Sequence, residues 1–297
     1  MEILLLPQEN KLKEKLIAII PCAGKGTRIK NLSQDKPKSL IQIATLNGRS
    51  IIDYLILTLT NLRIQKIVII TGYLGSQLKE HFNANLSDNK SLTDKLIFIN
   101  SGLEYTKGPI YSFLSFTRNA KLFKKKYLFV ILPCDTIFES VLLKEIFKIA
   151  SLNLNLIKNY PAVFFKKIDI RSVRQKYEQF FKKIPKSLSI IKTKKDCNEV
   201  ILKKIIKTEL QDTSKQNIKL MIPVLFLNYY SVKYIQEISS KFPIKTISEA
   251  LNFMILSGQK ILTYEVHPAL EFYDIDDKYD LMLLNSRKKK MDNSSFE

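Results

Sequence analysis

Residues 16–40 read LIAIIPCAGKGTRIKNLSQDKPKSL. The apolar run Leu16–Ile20 has the length and composition of a strand buried on both faces, as in a parallel sheet. It ends in Pro21-Cys22-Ala23 and a short glycine loop, Gly24-Lys25-Gly26-Thr27-Arg28, with Lys38 further on in Asp35-Lys36-Pro37-Lys38. Glycine has no Cβ, so backbone N–H groups in such a loop can close on an anion, and the positive end of a following helix adds to the attraction. Arg28 and Lys38 supply mobile positive charge for oxygens that gain negative charge in phosphoryl transfer. The stretch from Ala23 through Gly24, Gly26 and Thr27 therefore reads as a polyphosphate site. It is neither the Walker pattern nor the dinucleotide fingerprint, since the Gly-Lys-Ser/Thr ending and the third glycine are both missing. A structural turn is the alternative reading of the loop taken alone.

The bulk numbers narrow the class. At 297 residues, 45% hydrophobic and 26% charged, the chain suits one large α/β domain or two small ones. No apolar run reaches membrane-spanning length, and Lys11, Lys13, Glu14 and Lys15 interrupt the N-terminus before a signal-like core forms, so a cytoplasmic protein is expected. The net charge of +20 is concentrated in residues 121–210, where 21 Lys and Arg face 8 Asp and Glu. Nucleic acid or an anionic membrane surface is one reading of that excess; a lysine-rich solvated surface serving anionic substrates is the other. No aromatic RNA-binding motif, helix-turn-helix or zinc pattern is visible, so nucleic acid is not an expected partner. The three cysteines, Cys22, Cys134 and Cys197, lack CxxC spacing and argue against a disulfide framework or structural zinc. Cys22 and Cys134 each close an apolar strand, where a small buried filler is the expected role.

Along the chain, Ser50 reads as the cap of a helix from Ile51 to about Arg63, and 66–71 (KIVIIT) as a second buried strand. A helix at 77–82, a polar loop at 83–93, a strand at 95–100 (KLIFIN) and a helix running to about Ala120 follow. Residues 127–133 (YLFVILP) form the most apolar strand, ending at Asp135, with a helix start expected over 136–150. Strands alternating with helices imply a parallel sheet covered on both faces, which binds ligands at the carboxyl ends of its strands. Gly24, Thr71, Asn100 and Asp135 share that rim, so Asp135 is either a helix cap or a ligand for Mg2+. Beyond Ser151 the alternation weakens into strands at 162–165, 187–191, 200–206 and 218–228, a mixed or antiparallel region with lysine-rich connections. It is assigned to the acceptor side by position, where Lys166 and Lys167 can reach an acceptor phosphate or simply face solvent. Helices at 229–240 and 246–257, a strand at 260–266 and a helix at 278–285 complete the pattern, with a disordered tail expected from Arg287. Before the last helix, Asp274 and Asp276 point to one side of an extended segment: a cation site, or an exposed acidic turn.

The glycine loop with Lys38, the strand ending at Asp135, and the late Tyr273-Asp274-Ile275-Asp276 resemble the nucleotidyltransferase superfamily in order and spacing. That superfamily includes sugar-phosphate nucleotidylyltransferases and cytidylyltransferases. The resemblance implies a single Rossmann-like α/β/α domain with a mixed, mainly parallel central sheet. Its expected bounds are residues 16–286, with a nucleotide half at 16–150, an acceptor half at 151–286 and an extension at 1–15. It also implies that Gly24, Gly26 and Thr27 hold the triphosphate, that Arg28 and Lys38 stabilise charge at the α-phosphorus, and that Asp135 with Asp276 or Asp274 holds Mg2+. The stretch 67–73 (IVIITGY) with Gln77, and Ile110-Tyr111-Ser112-Phe113, look like the bacterial choline-phosphate cytidylyltransferase type. The Asp274-Ile275-Asp276 ending looks more like the inositol-1-phosphate cytidylyltransferases. Base recognition then falls near Gly72 and the loop from Gly108 to Ser112, with Tyr111 stacking or packing.

The expected activity is transfer of a nucleotide, CTP favoured, to a phosphorylated alcohol such as phosphocholine or an inositol phosphate. Sugar-1-phosphate transfer from UTP, GTP or dTTP is the alternative, and a non-catalytic nucleotide-binding subunit stands outside both. Ile137 occupies the place where some cytidylyltransferases carry a second acid, a departure that bears on the metal arrangement.

Overall fold

The computed structural model describes residues 11–12, 14–26, 36–86, 90–178, 186–212 and 217–285. Thr27 and Arg28, both expected at the phosphate site, and the tail from Arg287 lie outside the described residues.

The apolar run forms β1 (Leu16–Pro21), buried along its hydrophobic length. Ser50 caps α1 (Ile51–Asn61), its hydroxyl accepting from the Asp53 amide at 3.2 Å, and Ile52, Leu55 and Leu59 bury the helical stripe. Next come β2 (Lys66–Thr71), α2 (Gly75–Leu86) and β3 (Leu96–Asn100). The polar stretch expected as a loop at 83–93 is helical to Leu86 and again over Lys90–Thr93, where Leu92 packs against the core. The single helix expected up to Ala120 is instead a 3-10 turn, then α3 (Pro109–Leu114), then a second 3-10 turn. Gly108, at φ 142°, ends the first turn in a conformation closed to other residues and starts α3 ahead of Pro109.

After β4 (Leu128–Ile131) the sequence expectation of a helix from Thr136 fails. Thr136–Phe138 is a strand, β5, and α4 (Ser140–Leu152) begins only afterwards. Then follow β6 (Ala162–Asp169), α5 (Ile170–Glu178), β7 (Ser187–Asp196), β8 (Glu199–Glu209) and β9 (Asn217–Asn228). The chain closes with α6 (Tyr229–Lys241), α7 (Ile247–Leu256), β10 (Leu262–Glu265), β11 (Phe272–Asp274) and α8 (Lys278–Asn285). α7 carries a full capping box between Thr246 and Glu249.

Nine strands form one sheet in the order β3-β2-β1-β4-β9-β6-β10-β8-β7. β3, β2, β1 and β4 run parallel, as do β6 and β10. β9 is antiparallel to β4 and β6, and β8 to β10 and β7. The sheet is therefore mixed, and the parallel character expected to dominate it is confined to the first four strands and one later pair. A tight connection such as that between β7 and β8 can only join antiparallel strands. β9 sits between β4 and β6, so strands from both ends of the sequence build one continuous sheet.

Because successive strand residues face opposite ways, each strand feeds two cores. Ala18, Ile20, Ile69 and Val130 pack with α1 and α4 on one face. Ile17, Ile19, Val68 and Phe129 pack with Phe113, Ile235 and Leu251 on the other. Each fully buried Ile or Phe contributes about 1.5–3 kcal/mol, so a one-residue slip in β1 would forfeit both cores.

β5 and β11 form a separate antiparallel ribbon with Asp274 opposite Thr136. The Ile275 amide extends it, donating to the Asp135 carbonyl at 2.9 Å. Ile137 and Ile275 pack with Ile51, Tyr54 and Leu284, which fixes the ribbon against α1 and α8. This ribbon carries the late acidic segment to the end of β4.

Candidate active site

The carboxyl ends of β1 and β4, the β5–β11 ribbon and the edges of β6, β7 and β9 enclose a cleft of about 1100 Å³. Its glycine loop is described from Pro21 to Gly26. Gly24 has open space where a Cβ would stand, and Gly26 is left-handed at φ 58°. Ala23, Gly24 and Gly26 line the cleft, as do Ser112 and Tyr105, an aromatic that the sequence reading passed over. Gly72 lies behind this surface: a Cβ there would stand 2.7 Å from the Ala23 Cβ and 2.9 Å from Ser101 Oγ. It allows the end of β2 to pack against the glycine loop. Gly108 is pressed against the Lys245 backbone. Tyr111 does not line the cleft; its hydroxyl donates to the Ser239 carbonyl at 3.1 Å, which makes it a packing residue between α3 and α6.

Lys38 lies at the centre. Its Nζ donates to Asp135 Oδ2 at 2.8 Å and stands 4.0 Å from Asp276 Oδ1. Burial alone would pull its ammonium down, but the charge and hydrogen bond of Asp135, with Asp276 and Asp274 behind, raise it instead. Lys38 is therefore held charged. Asp274 accepts from the Thr136 hydroxyl at 3.1 Å. Its carboxyl is pushed up to about 7 by burial first, and then by the charges of Asp135 and Asp276. Three carboxylates from sequence positions 135, 274 and 276 thus crowd around one lysine.

A second lysine, Lys186 at the mouth of β7, faces the same acids from the other side, and the sequence reading did not single it out. Its Nζ donates to the Asp274 carbonyl at 2.8 Å and to Asp280 Oδ1 at 3.0 Å, and lies 3.8 Å from Asp276 Oδ2. Asp280 also accepts from the Tyr177 hydroxyl at 3.0 Å and from the Asp276 amide at 2.7 Å. Burial first, then Asp280, raises the Tyr177 phenol, which keeps it a donor. Asp276 therefore stands between two ammonium groups, and Asp280 ties the acidic turn to α5 and to the start of β7.

Of the two lysines assigned to the acceptor by position, Lys166 is buried and lines the cleft, where it donates to the Leu270 carbonyl at 2.7 Å and to Glu271 at 2.8 Å. Lys167 lines the outer edge, exposed and paired with Glu265 at 2.9 Å. Both are engaged within the protein.

Among the described residues, no set of three His, Cys, Asp or Glu is disposed to hold a metal ion by itself. The donor chemistry nevertheless fits a hard divalent cation. Asp135, Asp276 and Asp274 offer carboxylate oxygens crowded enough to disturb a pKa, and such ions take one or two carboxylates with substrate phosphates completing the shell.

An α/β/α fold with a glycine loop and a lysine–carboxylate cluster on the rim of its strands belongs to the α/β proteins that bind ligands at strand ends. Residues 17–155 match the model of the nucleotidyl transferase family. The bifunctional protein GlmU of Methanococcus maripaludis is 38% identical over 68 residues, covering 23% of this chain and 16% of its own. A choline-phosphate cytidylyltransferase of Streptococcus pneumoniae is 39% identical over 80 residues, 26% of this chain and 34% of its own. The matched stretch thus spans about a third or less of these relatives. Among solved structures, UDP-glucose pyrophosphorylase complexed with UDP-glucose superimposes with a TM-score of 0.64 at 14% identity, covering 92% of this chain and 97% of its own. The inositol-1-phosphate CTP transferase from T. maritima gives 0.61 at 15% identity, covering 91% and 94%. These likenesses extend the shared fold across nearly the whole chain. No helix among the described residues is long and apolar enough to cross a membrane.

Proposed function

We propose that the protein is a cytoplasmic, Mg2+-dependent nucleotidyltransferase that joins a nucleoside triphosphate, CTP first, to a phosphorylated alcohol and releases pyrophosphate. The observation that carries this reading is Lys38 held charged between Asp135 and Asp276, with the glycine loop on one side and the lysine-lined acceptor region on the other. In the reaction an acceptor phosphate oxygen attacks the α-phosphorus, the bond to the bridging oxygen breaks, and pyrophosphate leaves with that oxygen. Such chemistry calls for positioning and charge neutralisation, not for a nucleophilic side chain. The glycine loop receives the triphosphate, Lys38 neutralises charge that builds on the phosphoryl oxygens, and Arg28 is assigned the same task. Asp135 and Asp276, with Asp274 beside them, are the candidate holders of Mg2+, which supplies further neutralisation when bound. Lys166 and Lys167 are assigned to the acceptor side.

CTP is favoured because the relatives include a choline-phosphate cytidylyltransferase, and the fold is shared with an inositol-1-phosphate CTP transferase. A uridylyltransferase acting on a sugar 1-phosphate is the second reading. It is favoured by the likeness to UDP-glucose pyrophosphorylase and to a UTP--glucose-1-phosphate uridylyltransferase of Haloferax volcanii. A pyrophosphate-release assay with Mg2+, each of CTP, UTP, GTP, ATP and dTTP, and phosphocholine, inositol phosphates or sugar 1-phosphates separates the two. Release with CTP and a phospho-alcohol is expected; release only with UTP, GTP or dTTP and a sugar phosphate would overturn the first reading in favour of the second.

A further inference from the structure

β1 and β4 are parallel neighbours with Ile19 opposite Ile131, and the pairing runs on past the ladder, the Leu132 amide donating to the Ile19 carbonyl at 3.0 Å. Cys22 follows the end of β1, and Cys134 lies in the turn that follows the end of β4. Adjacent strands lie about 4.8 Å apart, so residues just past the ends of two paired strands can come within the roughly 4.4–6.8 Å between Cα atoms that a disulfide bridges. Both side chains pack in the same apolar cluster, both line the cleft, and the two thiols are near enough to influence each other. Cys22 is buried with its amide fixed to the Ile70 carbonyl at 2.8 Å, whereas Cys134 is half-buried. Ser39, the neighbour of Lys38, lines the cleft with Cys22, and Cys134 immediately precedes Asp135.

We propose that Cys22 and Cys134 form a reversible dithiol–disulfide site in the floor of the cleft, closed by peroxide-class oxidants and obstructing the site when closed. Cys134, reachable from the cleft, is oxidised first: its sulfur takes one oxygen from hydrogen peroxide to become a sulfenic acid, and one water is released. The Cys22 sulfur then attacks the Cys134 sulfur, the S–O bond breaks, the S–S bond forms, and a second water leaves. Two thiol hydrogens and two electrons have passed to the peroxide. A thiol reductant reverses the closure by exchange. Closure draws position 134 toward β1, displacing Asp135 relative to Lys38. A displacement of about 1 Å in a catalytic constellation can cost on the order of 100-fold in rate. That loss of activity rests on the nucleotidyltransferase reading; the thiol chemistry does not. Cys197, exposed in the β7–β8 turn, serves as the internal control.

The experiment exposes the full chain to hydrogen peroxide, then denatures it without reductant, counts free thiols and measures the intact mass. The three thiols of the wild type are expected to fall to one with the loss of two hydrogens, and dithiothreitol to restore all three. Cys197→Ser is expected to lose both remaining thiols and Cys134→Ser to lose neither as an internal disulfide. Pyrophosphate release is expected to fall and recover with the disulfide in the wild type and Cys197→Ser, but not in Cys134→Ser. Persistence of three thiols, or their loss only as sulfonic acid or as a Cys197-linked dimer, would overturn the dithiol site. A disulfide that forms without change in pyrophosphate release would overturn the obstruction. A fall to one thiol in protein that releases no pyrophosphate with any substrate pair supports the dithiol site and counts against the catalytic reading instead.

Discussion

Asp280 holds the acidic turn together, and its removal gives a sharp test of that geometry. The side chain is 5% exposed and takes four hydrogen bonds: from Lys186 at 3.0 Å, Tyr177 at 3.0 Å, the Asp276 amide at 2.7 Å and the Asp277 amide at 3.2 Å. Asp280→Ala leaves a nearly buried ammonium without its main counter-charge and removes the acceptor of three other donors. Breaking one partner of a buried ion pair costs roughly 3–5 kcal/mol, and that range is expected here. Lys186→Met should cost less, about 1–2 kcal/mol, because Asp280 keeps its tyrosine and both amides. The double variant should therefore cost less than the sum of the two, since one change removes the reason for the other's penalty. Urea denaturation read by circular dichroism, with the slope checked for constancy, gives all three values. An Asp280→Ala protein within about 1 kcal/mol of wild type, or strict additivity in the double variant, would refute the argument that this pair anchors the turn.

Three further outcomes follow from the same geometry. The Asp274 carboxyl has a folded-state value of about 7 against an ordinary 3.8. Its contribution to stability in metal-free protein is thus full at acid pH and is lost as pH rises from about 4 through about 7, and Asp274→Asn should flatten that part of a stability–pH profile in the presence of a chelator. Gly72→Ala forces a methyl against Ala23, Ser101 and Tyr105 at 2.7–2.9 Å, and thermal unfolding should report a loss of about 1–3 kcal/mol. Tyr111→Phe removes only the bond to the Ser239 carbonyl, so nucleotide affinity by calorimetry should stay unchanged while stability drops by about 1 kcal/mol; a large loss of affinity would return Tyr111 to the base site.

Much of this architecture was legible because it is local. The run 16–20, the KIVIIT and KLIFIN stretches and the capped helix at Ile51 each carry their own hydrophobic period, and the glycine loop announces itself by composition. What escaped depends on partners distant in sequence. Thr136–Phe138 has nothing to mark it as a strand except Phe272–Asp274, and the helix-forming run that follows it biased the reading. Lys186, after Pro185, looks like any of the surface lysines in the basic middle; only the fold sets it against Asp280, 94 positions away. Asp280 itself sits inside a helix start where acids are common caps. The parallel character was overestimated because strand composition marks burial and leaves direction open, and the hairpin from β7 to β8 decides direction through its short turn.

The most direct test of the central claim compares pyrophosphate release by wild type, Lys38→Ala and Asp135→Ala with CTP, Mg2+ and the best phosphorylated acceptor, each variant checked for native circular dichroism. Removing one preorganised charge at a developing anion typically costs 10²–10³-fold in turnover, or about 3–4 kcal/mol, and a loss of roughly that size is predicted for each folded variant. Wild-type turnover in either one would show that the lysine–carboxylate cluster is not where the transfer occurs.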